Sequence, residues 1–396
     1  MAVRLRVPAC VARWRRLGSG RRQAVVLISI CAVLLLGDRV RFFSTTAERP
    51  CARRDDDGPG AGDVDAREVV IADDDAVETA APSRRARISR ALQDACSTRS
   101  GGTREHLGKS TRARVLNTQF DMFVYGGTSG VRDIVSDSIS GSGAWERPET
   151  ETLMSLLSKD KNGTTRGSFL DVGANIGWFS MVALHLGHDV IAFEPFQSNV
   201  DLICASLESV SPPTAKKFRL HQIGLDTKRR ECELFQQKHI NIGDTHAVCD
   251  EKTRAHFLGA GYASLGWMNT TTLDDAFVDG AFDHLDRIDV MKIDVEGFEP
   301  AVIAGGNRFF ESKYAPRYVF MEMVSSLMDS ASGAKGRGQD YLRTTLLHLG
   351  NHGYELDSYS ERDNNSVSLQ SSPFEEVWRH ADGKNVLFVR RDEAGK

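Results

Sequence analysis

The sequence contains no Cys-x-x-Cys pair, no zinc-ligand spacing and no dominant charge sign. The missing cysteine pairs exclude a zinc ribbon or finger. The 50 Lys and Arg against 54 Asp and Glu leave a net charge of -4, so nothing in the bulk charge points to nucleic acid. The seven cysteines form no disulfide framework, although a bridge such as Cys232 to Cys249 would be possible in an oxidising lumen. His221, His239 and His246 also lack ligand spacing, and no metal site is expected. Acidic residues are absent before Asp38, where Arg4, Arg6, Arg13, Arg15, Arg16, Arg21 and Arg22 crowd the start of the chain.

Long apolar runs are also scarce. The uncharged stretch Ala24–Gly37 has fourteen residues, whereas a bilayer span usually takes about 17 to 25. With arginines before it, the positive-inside bias would keep residues 1–23 cytosolic and send the rest across as a signal anchor over 24–37. A cleaved signal peptide and an Arg-rich organelle transit segment remain open alternatives. The sequons at Asn162, Asn269 and Asn364 would permit glycosylation of a lumenal body. Residues 38–114, with RRDDDGPGAGD, ADDDAVE and few aromatics, bury too little apolar surface to offset their ordering entropy, so they read as a disordered stalk.

What is present begins near Gln119. FDMFVY predicts a strand, VRDIVSDSIS a second short element and PETETLMSLLSK a helix, forming an N-terminal extension over 115–160. From 161 to 396, strands alternate with helices: SFLDVG, DVIAFEP, KFRLHQIGL, ECELFQ, IDVMKIDVEG and YVFMEMV as strands, and helical spacing after most of them. Such alternation predicts an α/β doubly wound, mostly parallel sheet, with GYELDSYS and NVLFVRR as an antiparallel edge. The 396 residues suffice for this body and its additions.

In such sheets a ligand lies beyond the carboxyl ends of the strands, at the first crossover. Asp171, Gly173, Asn175 and Gly177 occupy that turn, and Glu194 ends the next strand, where its carboxylate would accept ribose hydroxyls. The order D-x-G-x-N-x-G differs from the dinucleotide G-x-G-x-x-G. An acid at its head would repel a diphosphate and suits the cationic groups of S-adenosylmethionine; a nicotinamide-dependent oxidoreductase and a ligand-free turn are the competing readings.

DVGANIGWFS, FEP, TLDD, VMKIDVEGFEPAVIAGG and GYEL, in this order, resemble the FkbM-type methyltransferase family from about Gly167 to Gly353. The resemblance implies a class I methyltransferase (Rossmann-like) fold, S-adenosyl-L-methionine as cofactor, and O-methylation of hydroxyls on sugars or natural products. It implies cofactor contacts for Asp171, Gly173, Asn175, Gly177 and Glu194, and an adenine contact for Asp226, which a solvated turn would also explain. It places Asp294 and Glu296 beside the methyl group. AWERPET resembles the segment that precedes this domain in some relatives, with Trp145 either covering the cofactor or filling the core. GYASLG is a candidate loop over the cofactor.

Asp294, Glu296 and Glu322 at strand ends are the candidate general bases; the alternative is a structural Lys292–Asp294 pair with Glu322 capping a loop. The expected protein is a single-pass type II membrane methyltransferase of the Golgi or endoplasmic reticulum, acting in the lumen on a small-molecule or glycan acceptor and not on nucleic acid. An inactive binding protein of the same fold is the runner-up, and the sequence leaves the oligomeric state open.

Overall fold

The computed structural model describes residues 94–96, 108–126, 133–157, 167–237, 242, 245–333, 336–357 and 381–391. The expected anchor at 24–37, nearly all of the expected stalk and the sequons at Asn162 and Asn364 lie outside these residues. Among the described residues, no helix is long and apolar enough to cross a membrane.

The chain opens with a hairpin of β1 (Gly108–Val115) and β2 (Thr118–Tyr125), then α1 (Ile134–Ser142) and α2 (Arg147–Leu157). The order strand-helix then repeats: β3 (Ser168–Val172), α3 (Trp178–His185), β4 (Asp189–Phe193), α4 (Gln197–Glu208), α5 (Pro212–Ala215) and β5 (Phe218–His221). A smaller sheet follows from β6 (Gly224–Leu225), β7 (Glu231–Gln237), β8 (Thr245–Val248) and β9 (Tyr262–Thr271), with α6 (Glu251–Gly259) between the last two. The main alternation resumes with α7 (Leu273–Val278), β10 (Val290–Ile293), α8 (Glu299–Ala304), α9 (Asn307–Phe310), β11 (Tyr318–Met323), α10 (Ser325–Ser332) and α11 (Gly338–Asn351). It closes with β12 (Tyr354–Asp357) and β13 (Lys384–Arg390).

The main sheet runs β5-β4-β3-β10-β11-β13-β12, and only the pairings made by β13 are antiparallel. The expected antiparallel edge is therefore corrected in one respect: β13 inserts between β11 and β12, which leaves β12 at the edge and pointing with the parallel strands. Strand order reverses at β3/β10, so the first crossover opens at that junction.

Side chains alternate across the strands and build two cores. Phe169, Val190, Ala192, Val290, Phe320 and Leu387 join one, with α3, α4 and the N-terminal hairpin and helices. Leu170, Ile191, Phe193, Met291, Met321 and Phe388 join the other, with α7, α8, α9 and α11. The N-terminal addition is thus built into the first core through Val115, Met122, Ile139 and Leu153.

Three local expectations change. The stretch read as stalk ends in structure, because Gly108–Val115 pairs fully with β2 and buries Ala113 and Val115; its alternating arginines face outward and gave it a polar composition. Phe298–Phe310 is not one helix, since Gly305 and Gly306 split it, a Cβ on Gly305 falling 2.2 Å from the Asp226 carbonyl. All of GYASLG after its first glycine belongs to β9, which pairs with β7. Among the described residues there are two disulfides, the anticipated Cys232–Cys249 and the unanticipated Cys96–Cys204, which joins residues 108 positions apart.

Candidate active site

The turn after β3 is shaped by backbone conformations that few residues adopt: φ is 80° at Gly173, 53° at Asn175 and 85° at Gly177. Asn175 tolerates this because its Oδ1 accepts the N–H of Ile176 at 2.7 Å. The glycines serve packing within the protein. A Cβ at Gly173 would lie 1.9 Å from the Asp294 carbonyl oxygen, and one at Gly177 would lie 2.9 Å from Ile203 Cγ1. Gly173 thereby lets the ends of β3 and β10 close together, where the Asp294 N–H donates to the Val172 carbonyl at 3.0 Å.

Glu194 is buried and fixes the turn to the end of β4. Its Oε2 accepts the N–H of Asn175 and its Oε1 that of Phe196, each at 2.8 Å. Burial pushes its carboxyl up to about 7, against the lowering effect of these two bonds. Both oxygens retain acceptor capacity for hydroxyls. Asp171 Oδ2 accepts from Ser180 Oγ at 2.6 Å, while its buried Oδ1 has no hydrogen-bond partner. Burial raises the Asp171 carboxyl above the ordinary range. Asp226 is fully buried at the end of β6, accepting the Thr227 N–H at 2.6 Å and pairing with Arg230 at 2.5 Å.

Lys292 is directly opposite Asp171 in the parallel pair and donates to Asp294 Oδ2 at 2.9 Å. Its ammonium also stands 4.9 Å from the centre of the Phe179 ring. Burial disfavours this charge, but Asp294 and Asp171 outweigh it and raise the pKa. The structural Lys292–Asp294 pair is therefore real, yet Asp294 keeps 39% of its side chain exposed.

Glu322 continues β11 beyond Met321, the partner of Ile293, so Glu322 and Asp294 follow at the ends of adjacent parallel strands on one face. Burial, then the charge of Asp294, lifts Glu322 to about 8. Its main chain pairs with Asn385 of β13, and among the described residues its side chain makes no loop-capping bond. Glu296 occupies a left-handed conformation at φ 52°, in a turn whose Val295 and Gly297 N–H groups donate to Glu299 Oε1 at 3.0 and 3.3 Å.

Glu146 joins this group although its sequence position gave no chemical signal beyond its place in AWERPET. Burial, then Asp294, pushes it up to about 7. Its position is set by a relay of hydrogen bonds. Trp178 Nε1 donates to Thr150 Oγ1 at 2.9 Å, Thr150 Oγ1 donates to the Trp145 carbonyl at 3.2 Å, and the Thr150 N–H donates to the Glu146 carbonyl at 2.8 Å. Trp145 is partly buried and packs against the first core. Glu299, equally missed, is held by its backbone donors, with burial raising it to about 7.

The structure thus gathers Asp171, Asp294, Glu322 and Glu146 around Lys292, with the Asn175–Glu194 turn beside them; Asp226 is committed to Arg230. Among the described residues one set of ligand-type atoms converges within 4.8 Å, Asp226 with Cys232 and Cys249, and those two sulfurs are bonded to each other.

Residues 171–356 match the family described as the methyltransferase FkbM domain. Over these residues the chain is similar to that family, and the match supports S-adenosylmethionine as the cofactor. Similar solved structures include methyltransferase FkbM from Methylobacillus flagellatus KT, at 17% identity and a TM-score of 0.32 over 61% of this chain and 50% of that one. Precorrin-6y C5,15-methyltransferase from Geobacter metallireducens GS-15 is 11% identical, with a TM-score of 0.28 over 66% and 99%. A putative SAM-dependent methyltransferase from Streptococcus mutans is 11% identical, with a TM-score of 0.32 over 74% and 57%. The chain spans half the length of the Methylobacillus protein. No curated protein matches it.

The donor set suits the cofactor. Glu194 offers acceptors for ribose hydroxyls, and the buried Asp171 Oδ1 has no hydrogen-bond partner within the protein. Asn175 and Glu194 would hold the nucleoside, and Asp171, through Ser180 and across from Lys292, would brace the turn from below.

Proposed function

We propose that the protein transfers a methyl group to a hydroxyl oxygen of a carbohydrate or related small molecule in the lumen of the secretory pathway. The observation that carries this reading is the row of Asp294 and Glu322 at adjacent strand ends beside the cofactor turn, with Glu322 raised to about 8. S-adenosylmethionine supplies an electrophilic methyl group. An alcohol must lose its proton as its oxygen attacks, and a carboxylate of raised pKa is a better acceptor for it than an ordinary one. Glu322 takes that proton, while Asp294, fixed by Lys292, orients the hydroxyl from its exposed edge. Glu146 is near enough for its charge to act on Asp294 and Glu322, and Glu296 lies in the turn after β10. Holding the acceptor collinear with the donor and excluding water supplies up to roughly 7 to 11 kcal/mol.

The test is methyl transfer from isotope-labelled S-adenosylmethionine to a library of released glycans and small polyols. Label on an ether oxygen supports the reading; label only on nitrogen, or on carboxylates, sinks the hydroxyl assignment. Cofactor binding is checked separately. Glu194→Gln removes charge-assisted bonds worth about 1.5 to 3 kcal/mol each, so calorimetry is expected to show S-adenosylmethionine binding weakened about tenfold or more. Unchanged affinity would mean that Glu194 only braces the turn, and tight NAD binding in place of S-adenosylmethionine would support an oxidoreductase.

Compartment and tether belong to the same proposal. Arginines precede Ala24–Gly37, and both disulfides are of the kind that persists in oxidising compartments. Alkaline carbonate is expected to leave the full chain in the membrane pellet, and protease added to intact vesicles is expected to spare the body. Full release by carbonate would point to a cleaved or transit segment.

A further inference from the structure

Strand β9 turns Met268 and Thr270 inward, while Trp267 and Asn269 face outward on the same side. Trp267 is the most exposed large apolar side chain among the described residues, at 64%. Beside it, Gly266 has open space where a side chain would stand. Opposite Trp267 the partner strand places Glu233, which is buried and ion-paired to Arg254, and opposite Asn269 it places the exposed Glu231. Thr271, the third residue of Asn269-Thr270-Thr271, is fully buried, and its Oγ1 has no hydrogen-bond partner. A buried, unsatisfied hydroxyl is a cost that valine of nearly the same shape would avoid. The fold does not require that hydroxyl, but the N-x-Ser/Thr glycosylation acceptor does.

We infer that Asn269 carries an N-linked glycan whose core sugars lie on the Trp267 ring. The inference rests on the lumenal reading above. Residues two apart on a strand stand about 7 Å from each other on one face, within reach of the first sugars attached to the asparagine amide. Sugar C–H faces meet the apolar ring and the hydroxyls stay in water, so the glycan covers surface that the protein leaves bare. The chemistry is ordinary amide glycosylation: the Asn269 side-chain nitrogen attacks the anomeric carbon of a lipid-linked oligosaccharide, an N–C bond forms as the C–O bond to the lipid diphosphate breaks, the diphosphate leaves, and the nitrogen loses a proton. The Cys232–Cys249 bridge lies in the same small sheet, and thiol oxidation and this modification take place in the same compartment.

The full chain is expressed in cells with a secretory pathway, and its peptides are treated with peptide-N-glycosidase in heavy-oxygen water. The Asn269 peptide is expected to carry the heavy aspartate mark in the parent and in Thr271→Ser, and to lose it in Thr271→Val and Asn269→Gln. Asn269→Gln is expected to lower Tm by about 2 to 4 °C when Trp267 is present and to leave it nearly unchanged in a Trp267→Ala background. An unmodified Asn269 in protein whose body is protease-protected in vesicles overturns the site and leaves the lumenal reading standing. An unmodified Asn269 in protein digested from outside overturns both. Glycosylation with equal Tm loss in the two backgrounds overturns the contact with Trp267.

Discussion

Glu322→Gln is expected to reduce turnover by about 10²- to 10⁴-fold, the usual worth of a general base, while S-adenosylmethionine affinity stays within a few fold. The amide keeps the shape of the carboxyl and the β11–β13 pairing of its main chain, but it accepts no proton. In the parent, only the ionised form of Glu322 serves as the base. Burial and Asp294 hold its pKa near 8, so turnover should rise with pH below that value and level off above it. The variant's residual activity should lack that rise. Asp294→Asn is the comparison: Asp294 lies in the same row but is paired with Lys292. If Asp294→Asn loses the pH-dependent limb and Glu322→Gln keeps it, the two roles are exchanged. A similar loss in Glu296→Gln alone would move the base to the turn.

Lys292→Met should melt about 10 °C below the parent, the lower-middle of the range expected when one partner of a buried pair is removed. Asp171 is fully buried across the strand from Lys292, so the methionine leaves its carboxylate facing no cation. Its Oδ2 keeps Ser180, which limits the damage, and a proton taken up by Asp171 would limit it further. Recovery of part of the lost Tm at acid pH is therefore expected for this variant. Asp294→Asn should cost less, because Asp294 is 39% exposed and water replaces the lost charge partner. Differential scanning calorimetry distinguishes the cases. A Lys292→Met variant melting within about 2 °C of the parent would show that the cluster is not held by this cation.

Strand–helix alternation, the turn and Glu194 were legible in the sequence because they depend on periods and spacings short enough to read along the chain. Asn175 and Glu194 were legible as neighbours because the turn after β3 and the end of β4 are fixed in register by one βαβ unit. Their backbone roles were not legible. Gly173 was expected to admit a ligand, and only the approach of β10 shows that it admits the Asp294 carbonyl. The charged run through residue 114 hid β1, since half of a hairpin strand faces water and its partner lies across a turn.

The sequence alone determined the α/β class, the family resemblance and the acids Asp294, Glu296 and Glu322 as a set. Tertiary structure decided which groups share a cleft. Glu146 lies 176 positions before Glu322, and Cys96 lies 108 before Cys204, so neither contact leaves a local pattern. The same holds for the burial that separates Glu322, raised to about 8, from other strand-end acids. Desolvation comes from elements packed against the sheet, such as the N-terminal helix α2 on β10, and no spacing along one strand encodes it.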